Sequence, residues 1–329
     1  MFASLKSIGA YVPKKKLTNA DFEKMVDTTD AWIVQRTGIK ERYIAEDDES
    51  TSDLAYRACE VAIERSGLEK SEIDAIICAT ITPDYFCMPS TACVVADKLG
   101  IKHVTAFDIS AACSGFVYAL SMAKAFIESG MKKNVLIIGA EKMSSIVDYE
   151  DRTTSILFGD GAGAAVISAT EDKSKSILDV KTSSDGEYQD FLITEGCGSK
   201  YPCSPEVLAN KQQFLKMKGN ETFKLAVNTL TKDVFEILDE NNLASTDIDW
   251  FVPHQANYRI INAVAKKLQM SEEKVVLTIE GYGNTSAASI PMAMNKWFED
   301  GKLKEGELML LDTFGGGLTW GSALVYFNG

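Results

Sequence analysis

Positive charge is scarce in this chain: 34 Lys and Arg stand against 47 Asp and Glu, a formal net charge of −13. That balance excludes the basic footprint a nucleic-acid binder needs to neutralise phosphates. Histidine is scarcer still, with only His103 and His254. Neither Cys87…Cys93 nor Cys197…Cys203 has the short ligand spacing of a zinc site, so no structural metal is expected. No apolar run reaches the roughly 18 residues of a membrane-spanning helix, so no membrane insertion is expected. Met1-Phe2-Ala3-Ser4-Leu5-Lys6 lacks a secretory pattern, which leads us to expect a cytoplasmic protein. The seven cysteines are Cys59, Cys78, Cys87, Cys93, Cys113, Cys197 and Cys203. An odd number without a signal peptide argues for reduced thiols. What remains is ordinary globular material, 46% hydrophobic and 25% charged over 329 residues, enough for one large α/β unit or two fused domains.

The chain repeats itself weakly. Leu68-Glu69-Lys70-Ser71-Glu72-Ile73-Asp74-Ala75-Ile76-Ile77 is similar to Leu243-Ala244-Ser245-Thr246-Asp247-Ile248-Asp249-Trp250-Phe251-Val252. Each copy follows a helical pattern (52–66 and 222–240) and leads into a buried strand with a polar tip. A helix, a strand (104–109 and 274–279) and a small-residue turn come next, followed by a helix and an apolar strand (135–139 and 308–312). Segments 164–168 and 322–326 read as closing strands. Strands alternating with helices predict parallel sheets covered by helices. Two tandem halves, 1–174 and 175–329, therefore predict two stacked α/β units related by a pseudo-twofold, joined at the polar stretch Glu171–Ser176.

Sites in open α/β sheets gather at the carboxyl ends of strands, which nominates three places. Cys113 lies where the strand 104–109 turns through Ser110-Ala111-Ala112 into a helix with Phe116, Val117, Leu120, Ala123 and Ile127 on one face. A cysteine there is either a buried structural thiol or a nucleophile, and the helix N-terminus is expected to lower its pKa. His254 follows an apolar strand and Pro253; it is either a satisfied structural histidine or part of the chemistry. Asn284, between Gly283 and Thr285, is either a turn residue or a hydrogen-bond donor. Together they would form a nucleophile with two side-chain hydrogen-bond partners. From Asn257 to Lys267 the chain carries no acid, and Arg259, Lys266 and Lys267 share one helical face. That face is either merely solvated or suited to an acidic or phosphate-bearing partner.

Six motifs in order carry a family resemblance over essentially the whole chain. They are Trp32-Ile33-Val34-Gln35-Arg36-Thr37-Gly38-Ile39, Ala112-Cys113-Ser114-Gly115-Phe116, Phe158-Gly159-Asp160-Gly161-Ala162-Gly163-Ala164, Pro253-His254-Gln255-Ala256-Asn257, Gly283-Asn284-Thr285-Ser286 and Phe314-Gly315-Gly316-Gly317. With them the chain closely resembles the β-ketoacyl-acyl-carrier-protein synthase III family of the thiolase-like condensing enzymes. The resemblance implies a thiolase-like fold with a layered αβαβα core. It also implies a decarboxylative Claisen condensation of an acyl-CoA primer, acetyl-CoA by default, with malonyl-acyl carrier protein. Products would be 3-ketoacyl-acyl carrier protein, CoA and CO₂, at the initiation of type II fatty-acid synthesis. A secondary-metabolite acyltransferase or a thioester hydrolase using the same Cys113 acyl-enzyme is the alternative.

In this resemblance Cys113 takes the acyl group, while His254 and Asn284 donate hydrogen bonds to the enolate left as CO₂ departs. The Cys113 and Gly316 amides would hold the acyl-transfer oxyanion, and Phe314 would exclude water. Trp32 corresponds to the residue that stacks on the CoA adenine, sandwiched by Arg152; read from its surroundings alone, it would be a half-buried core aromatic. Thr28, Arg36, Asn220, Phe223 and Asn257 correspond to the phosphopantetheine tunnel. Met88 stands where well-studied members carry a Phe that closes the acyl pocket from the neighbouring subunit, which implies a homodimer and leaves primer length open. Leu157 and Leu215 are expected to line that acyl pocket. Lys224, Arg259, Lys266 and Lys267 correspond to the docking patch for the acidic carrier protein. No permanently bound cofactor is implied, acyl-CoA being a substrate. Phe158–Ala164 superficially resembles a dinucleotide fingerprint, but strand-like Ala165-Val166-Ile167 follows it rather than a helix, which argues against a nicotinamide site.

Overall fold

The computed structural model describes all residues, 1–329. Two sheets are stacked with helices outside and between them. The first orders its strands Phe2–Tyr11, Gly161–Thr170, Asn134–Glu141, Ala75–Ala79, Thr105–Ile109. The second orders them Ile177–Ser184, Thr319–Tyr326, Leu308–Gly315, Trp250–Pro253. Taken strand by strand, the second sheet repeats the first four positions of the first, which is the topological content of the internal repeat.

Alternation along the strands separates the layers, because successive strand side chains face opposite sides. Ile77, Val135 and Ile137 point into a central core that also takes Val252, Met309 and Leu311 from the second sheet. Between the sheets run Gly115–Glu128 and Ser289–Glu299, burying Phe116, Val117, Leu120, Ile290 and Met294 in that core. The intervening residues Ile76, Cys78, Leu136 and Ile138 pack outward against Leu54, Ala58 and Ile63 of the helix Thr51–Ser66. On the far side, Gly219–Glu240 and Tyr258–Lys267 cover the second sheet through Val234, Ile237, Ile261 and Val264. The result is the αβαβα layering that the resemblance implies.

Two expectations need correction. The sheets are mixed rather than parallel: Ala75–Ala79 pairs parallel with both its neighbours, but Gly161–Thr170 runs antiparallel to both of its own. In the second sheet only Trp250–Pro253 and Leu308–Gly315 are parallel. A parallel pair needs a long crossover, whereas Gly315 returns to Thr319 through three residues, a connection only antiparallel strands accept. The second correction concerns 274–279, which is not a strand. It makes one isolated bridge, Phe251 to Val275, and enters a short helix at Ile279. The buried side chain of Gln255 takes over the ladder's work. It donates to the Val276 carbonyl (3.0 Å) and accepts from the amides of Thr278 (2.8 Å) and Ile279 (3.1 Å).

Candidate active site

Cys113 and His254 follow the strands Thr105–Ile109 and Trp250–Pro253, Asn284 follows the short helix Ile279–Tyr282, and all three line one cavity of about 110 Å³. Each is only 6% exposed. Cys113 sits in a single 3₁₀ turn, Ala112–Ser114, that feeds the helix Gly115–Glu128. The turn is bound to the other half of the molecule. The Thr313 hydroxyl donates to the Cys113 carbonyl (2.9 Å), the Thr319 hydroxyl to that of Ala111 (2.9 Å), and the Ser114 hydroxyl to that of Thr319 (3.1 Å). A Cβ at Gly315 would lie 2.7 Å from the Cys113 amide nitrogen, so the glycine run is what lets these segments approach.

The expected low thiol pKa is not what the site produces. Burial pushes the Cys113 thiol up to about 12, opposed by a hydrogen bond from Ser286 and by its own backbone amide. The helix terminus is present, but desolvation of the charged form outweighs it.

The Gln255 amide donates to Ser289 Oγ (3.3 Å), whose hydroxyl lies 2.6 Å from His254 Nδ1 and can donate to it. In the tautomer that accepts this bond Nε2 carries the hydrogen, and Nε2 is buried without a protein partner. Burial lowers the imidazole pKa to about 3, so the ring is a neutral donor at physiological pH. Asn284 is oriented the same way: its Oδ1 accepts from the Ser286 amide (2.8 Å), leaving Nδ2 as the free donor. Its main chain bridges Phe158, with its amide on the Leu157 carbonyl (2.9 Å) and its carbonyl on the Gly159 amide (3.0 Å).

A second cavity, about 430 Å³, meets the first at Cys113, Phe158 and Leu192, and is lined by Gly316 and Ser286. The structure separates two residues expected together: Leu157 lines the first cavity and Leu215 the second. Leu157 is held to the first by the Asn284 amide on its carbonyl. Phe314 lines the first cavity, while Met88 lines neither and is 77% exposed on an apolar tip with Tyr85 and Phe86.

Of the expected coenzyme contacts, Phe223 and Asn257 reach the first cavity, beside Gly219 and Thr222, whereas Asn220 is exposed and lines neither cavity. Asn257 also caps the helix Tyr258–Lys267 and donates to the Arg36 carbonyl (3.0 Å). Trp32, Arg36 and Arg152 form a clasp beyond the cavities, with the guanidiniums 5.5 and 5.0 Å from the indole centre. Arg152 is held by the Asp27 carbonyl (2.6 Å), and next to Asp27 the buried Thr28 hydroxyl has no partner. Arg259 stacks on Phe223 (5.2 Å). Arg259, Lys224, Lys266 and Lys267 are exposed and enter no ion pair, although other surface lysines, such as Lys181 and Lys211, hold two carboxylates each.

Four contributors escaped the sequence reading. Ser289 and Ser286 orient His254 and Asn284, Glu141 lies buried behind Ser286, and Asp312 lines the first cavity with both carboxylate oxygens unpartnered. Burial holds the Asp312 carboxyl well above its ordinary pKa. A charged residue closing an apolar run, Val135–Ala140 or Leu308–Leu311, is the signal that could have found Glu141 and Asp312. The serines carry none, being ordinary small residues of a turn.

Comparison with known proteins bears on this geometry. Residues 107–186 match the family described as 3-oxoacyl-[acyl-carrier-protein (ACP)] synthase III, and residues 238–327 the C-terminal portion of that family. A β-ketoacyl-[acyl-carrier-protein] synthase III of Sulfurovum sp. (strain NBC37-1) is 67% identical over 329 residues, covering 100% of this chain and 97% of that protein. The crystal structure of 3-oxoacyl-[acyl-carrier-protein] synthase III from Aquifex aeolicus VF5 superposes with a TM-score of 0.92 at 47% identity, covering 99% of this chain and 100% of that one. The priming β-ketosynthase of the R1128 polyketide pathway superposes at 0.93 with 33% identity, covering 99% and 96%.

Proposed function

Because the chain belongs to the 3-oxoacyl-[acyl-carrier-protein] synthase III family, we propose that Cys113, His254 and Asn284 carry out its decarboxylative condensation of an acyl-CoA with malonyl-acyl carrier protein. The observation that supports this most is the pair of aimed donors. His254 Nε2–H and Asn284 Nδ2 are both left free by partners that occupy their other atoms, in the cavity that Cys113 shares.

In the first half-reaction the Cys113 thiolate attacks the thioester carbonyl, and the coenzyme thiolate leaves. The Cys113 and Gly316 amides hold the tetrahedral oxyanion. In the second, the malonyl thioester loses CO₂ and its negative charge moves onto the thioester oxygen as an enolate. Two neutral donors preorganised for that oxygen contribute about 3 kcal/mol each in a dry site. The enolate carbon then attacks the acyl-Cys113 carbonyl, and the thiolate departs. Neutrality matters here: a protonated His254 would pair with the malonyl carboxylate and favour the ground state rather than the transition state. Phe314 keeps water from the acyl-enzyme.

Several finer points belong to the same reading. Phe223 and Asn257 hold the pantetheine arm, with Asn220 and Thr28 along its course, and the Trp32–Arg152 clasp takes the adenine beside Arg36. Lys224, Arg259, Lys266 and Lys267 receive the acidic carrier protein. The exposed Met88 tip enters a partner's second cavity, at the end lined by Leu215, making a cytoplasmic homodimer. Residues 1–174 and 175–329 are the two halves, one bringing the nucleophile and the other the two donors.

Intact mass after incubation with acetyl-, butyryl-, isobutyryl- and octanoyl-CoA tests the core of this. One acyl adduct is expected on the wild type and none on Cys113→Ser, and its mass names the primer. Unconsumed acyl-CoA with no adduct would remove the first half-reaction. Native mass of the same samples reads the assembly, and a monomer would remove the Met88 exchange.

A further inference from the structure

Arg42, on the short strand Glu41–Ile44, is fully buried, and every partner of its guanidinium is uncharged. Nη1 donates to Asn19 Oδ1 (2.9 Å) and to the Leu17 carbonyl (3.4 Å), and Nη2 to the Ile156 carbonyl. The ring of Phe22 lies 4.4 Å from the guanidinium carbon, and only Nε has no partner. Burial lowers the pKa to about 10, which leaves the group charged at physiological pH. A lone buried cation is costly, and an apolar chain of similar length would fill the same space without that cost. What the fork holds therefore matters.

Its Nη2 holds the start of the segment 156–159, which brings Leu157 and Phe158 to the cavities. Asn284 hangs on the same segment through its amide, on the Leu157 carbonyl (2.9 Å), and its carbonyl, which accepts from the Gly159 amide (3.0 Å). The stem of Arg42 lies against both sides of this bridge. A Cβ on Gly159 would come within 3.0 Å of Arg42 Cβ, and one on Gly283 within 3.2 Å. The far anchor is itself fixed, since buried Asn19 donates to Asp30 Oδ1 and to the Ile39 carbonyl, each at 2.8 Å. Cys113 and His254 are held by other means: the Cys113 turn by Thr313 and Thr319, the imidazole by Ser289.

We propose that Arg42 is a positioning residue for Asn284, its guanidinium holding the segment 156–159 where the Asn284 side chain is aimed into the cavity of Cys113 and His254. This rests on Asn284 being a donor in the condensation. Two separate nitrogens of one planar group reach two separate stretches of chain, the Leu17–Asn19 side and Ile156. A lysine keeps the charge but carries all its donors on one atom, so it cannot hold both. Misplacement of a catalytic group by about 1 Å can cost on the order of 100-fold in rate, which gives a distant anchor its leverage.

Arg42→Lys is compared with wild type and with Phe22→Leu, which takes packing from the guanidinium face and leaves the bond to Ile156. Three quantities are read: acetylation of Cys113 by acetyl-CoA from intact mass, CO₂ release from malonyl-acyl carrier protein on the acetylated enzyme, and amide hydrogen exchange at Gly159 and Asn284. Arg42→Lys should slow CO₂ release about tenfold or more while acetylation stays within about threefold. Exchange at Gly159 and Asn284 should quicken, and that at Ser114 in the Cys113 turn should not. Phe22→Leu should melt lower than wild type yet keep the wild-type ratio of the two rates. Equal losses of both rates in Arg42→Lys, or the same selective loss in Phe22→Leu, would reduce Arg42 to packing. Should Arg42→Lys fail to fold, wild type alone decides: Gly159 and Asn284 amides that exchange as freely as exposed loops overturn the proposal, and protected ones support it. Wild type that releases no CO₂ removes the condensing role instead, while exchange still reads the hold of Arg42 on the segment.

Discussion

At the scale of single residues, the site works by giving each polar atom one partner and leaving one atom free. Ser289 is the clearest instance, since its hydroxyl is the side-chain partner of the His254 ring, at 2.6 Å from Nδ1. Ser289→Ala should let the imidazole take either tautomer or turn. We expect malonyl decarboxylation on the acyl-enzyme to fall by about 10–100-fold, below the full loss of a donor, while acylation of Cys113 stays within a few-fold. Stopped-flow release of CO₂ beside intact-mass acylation separates the two, and equal losses in both would refute the assignment. That Cys113 and His254 would meet was legible in the sequence, because both follow strands, whereas Asn284 reaches the same cavity from beyond 274–279, a segment expected to be a strand that leads into a short helix. The sign of the Cys113 pKa shift was not, because burial is a property of what packs over a residue. The helix terminus is visible in sequence, but the cover of Phe158, Leu192 and Phe314 comes from elsewhere in the chain.

Elements meet at the site through close backbone approaches. The strand Asn134–Glu141 passes the turn Ser286–Ala288 so tightly that a Cβ on Gly139 would lie 2.2 Å from the Ala287 carbonyl oxygen. Neither partner is a side-chain end that could swing away. Gly139→Ala should cost at least about 1–3 kcal/mol, lower the melting temperature by several degrees, and disturb Asn284 and Ser286 together. Thermal unfolding checks the first, and a variant melting with wild type would show that the turn yields freely. Elements were readable wherever the apolar pattern was strong, as in the helix Gly115–Glu128, while the strand read as 308–312 begins at Leu308 but runs on to Gly315. The segment 274–279 shows where pattern fails. Val275-Val276-Leu277 has strand composition, yet one buried Gln255 supplies hydrogen bonds a neighbouring strand would otherwise make, and no periodicity reveals that.

For the whole molecule, charge is distributed against the average. A chain with a net charge of −13 keeps Lys224, Arg259, Lys266 and Lys267 exposed and unpaired on two helices, Gly219–Glu240 and Tyr258–Lys267, whose Phe223 and Ile261 line the cavity that holds Cys113. Lys266→Glu with Lys267→Glu should raise KM for malonyl-acyl carrier protein about tenfold at low ionic strength, leaving acetyl-CoA acylation nearly unchanged. The difference should shrink as salt rises, since exposed charges are screened within about 10 Å at 0.1 M. Steady-state kinetics at two salt concentrations decide it; a salt-independent loss would point to altered folding of Tyr258–Lys267 instead. The pairing of two halves was legible from the repeat, because each must bury one sheet face against the other. Mixed strand direction was not, since it depends on how short a return such as Gly316–Leu318 can be.

The Trp32 clasp bears on how hard coenzyme is gripped. Its indole already carries two cations, at 5.0 and 5.5 Å, before any adenine arrives. A base that slides between Trp32 and Arg152 exchanges one stacked contact for two, so its net gain is the difference between them. If the clasp takes an adenine as proposed, Arg152 would be at once the lid of the bound state and a competitor for the empty one. A clasp of that kind favours turnover over retention. On the proposed reading it would recognise the coenzyme on entry while the guanidinium stays at hand to reclaim the indole, so that the spent coenzyme would leave in time for the acidic partner to follow.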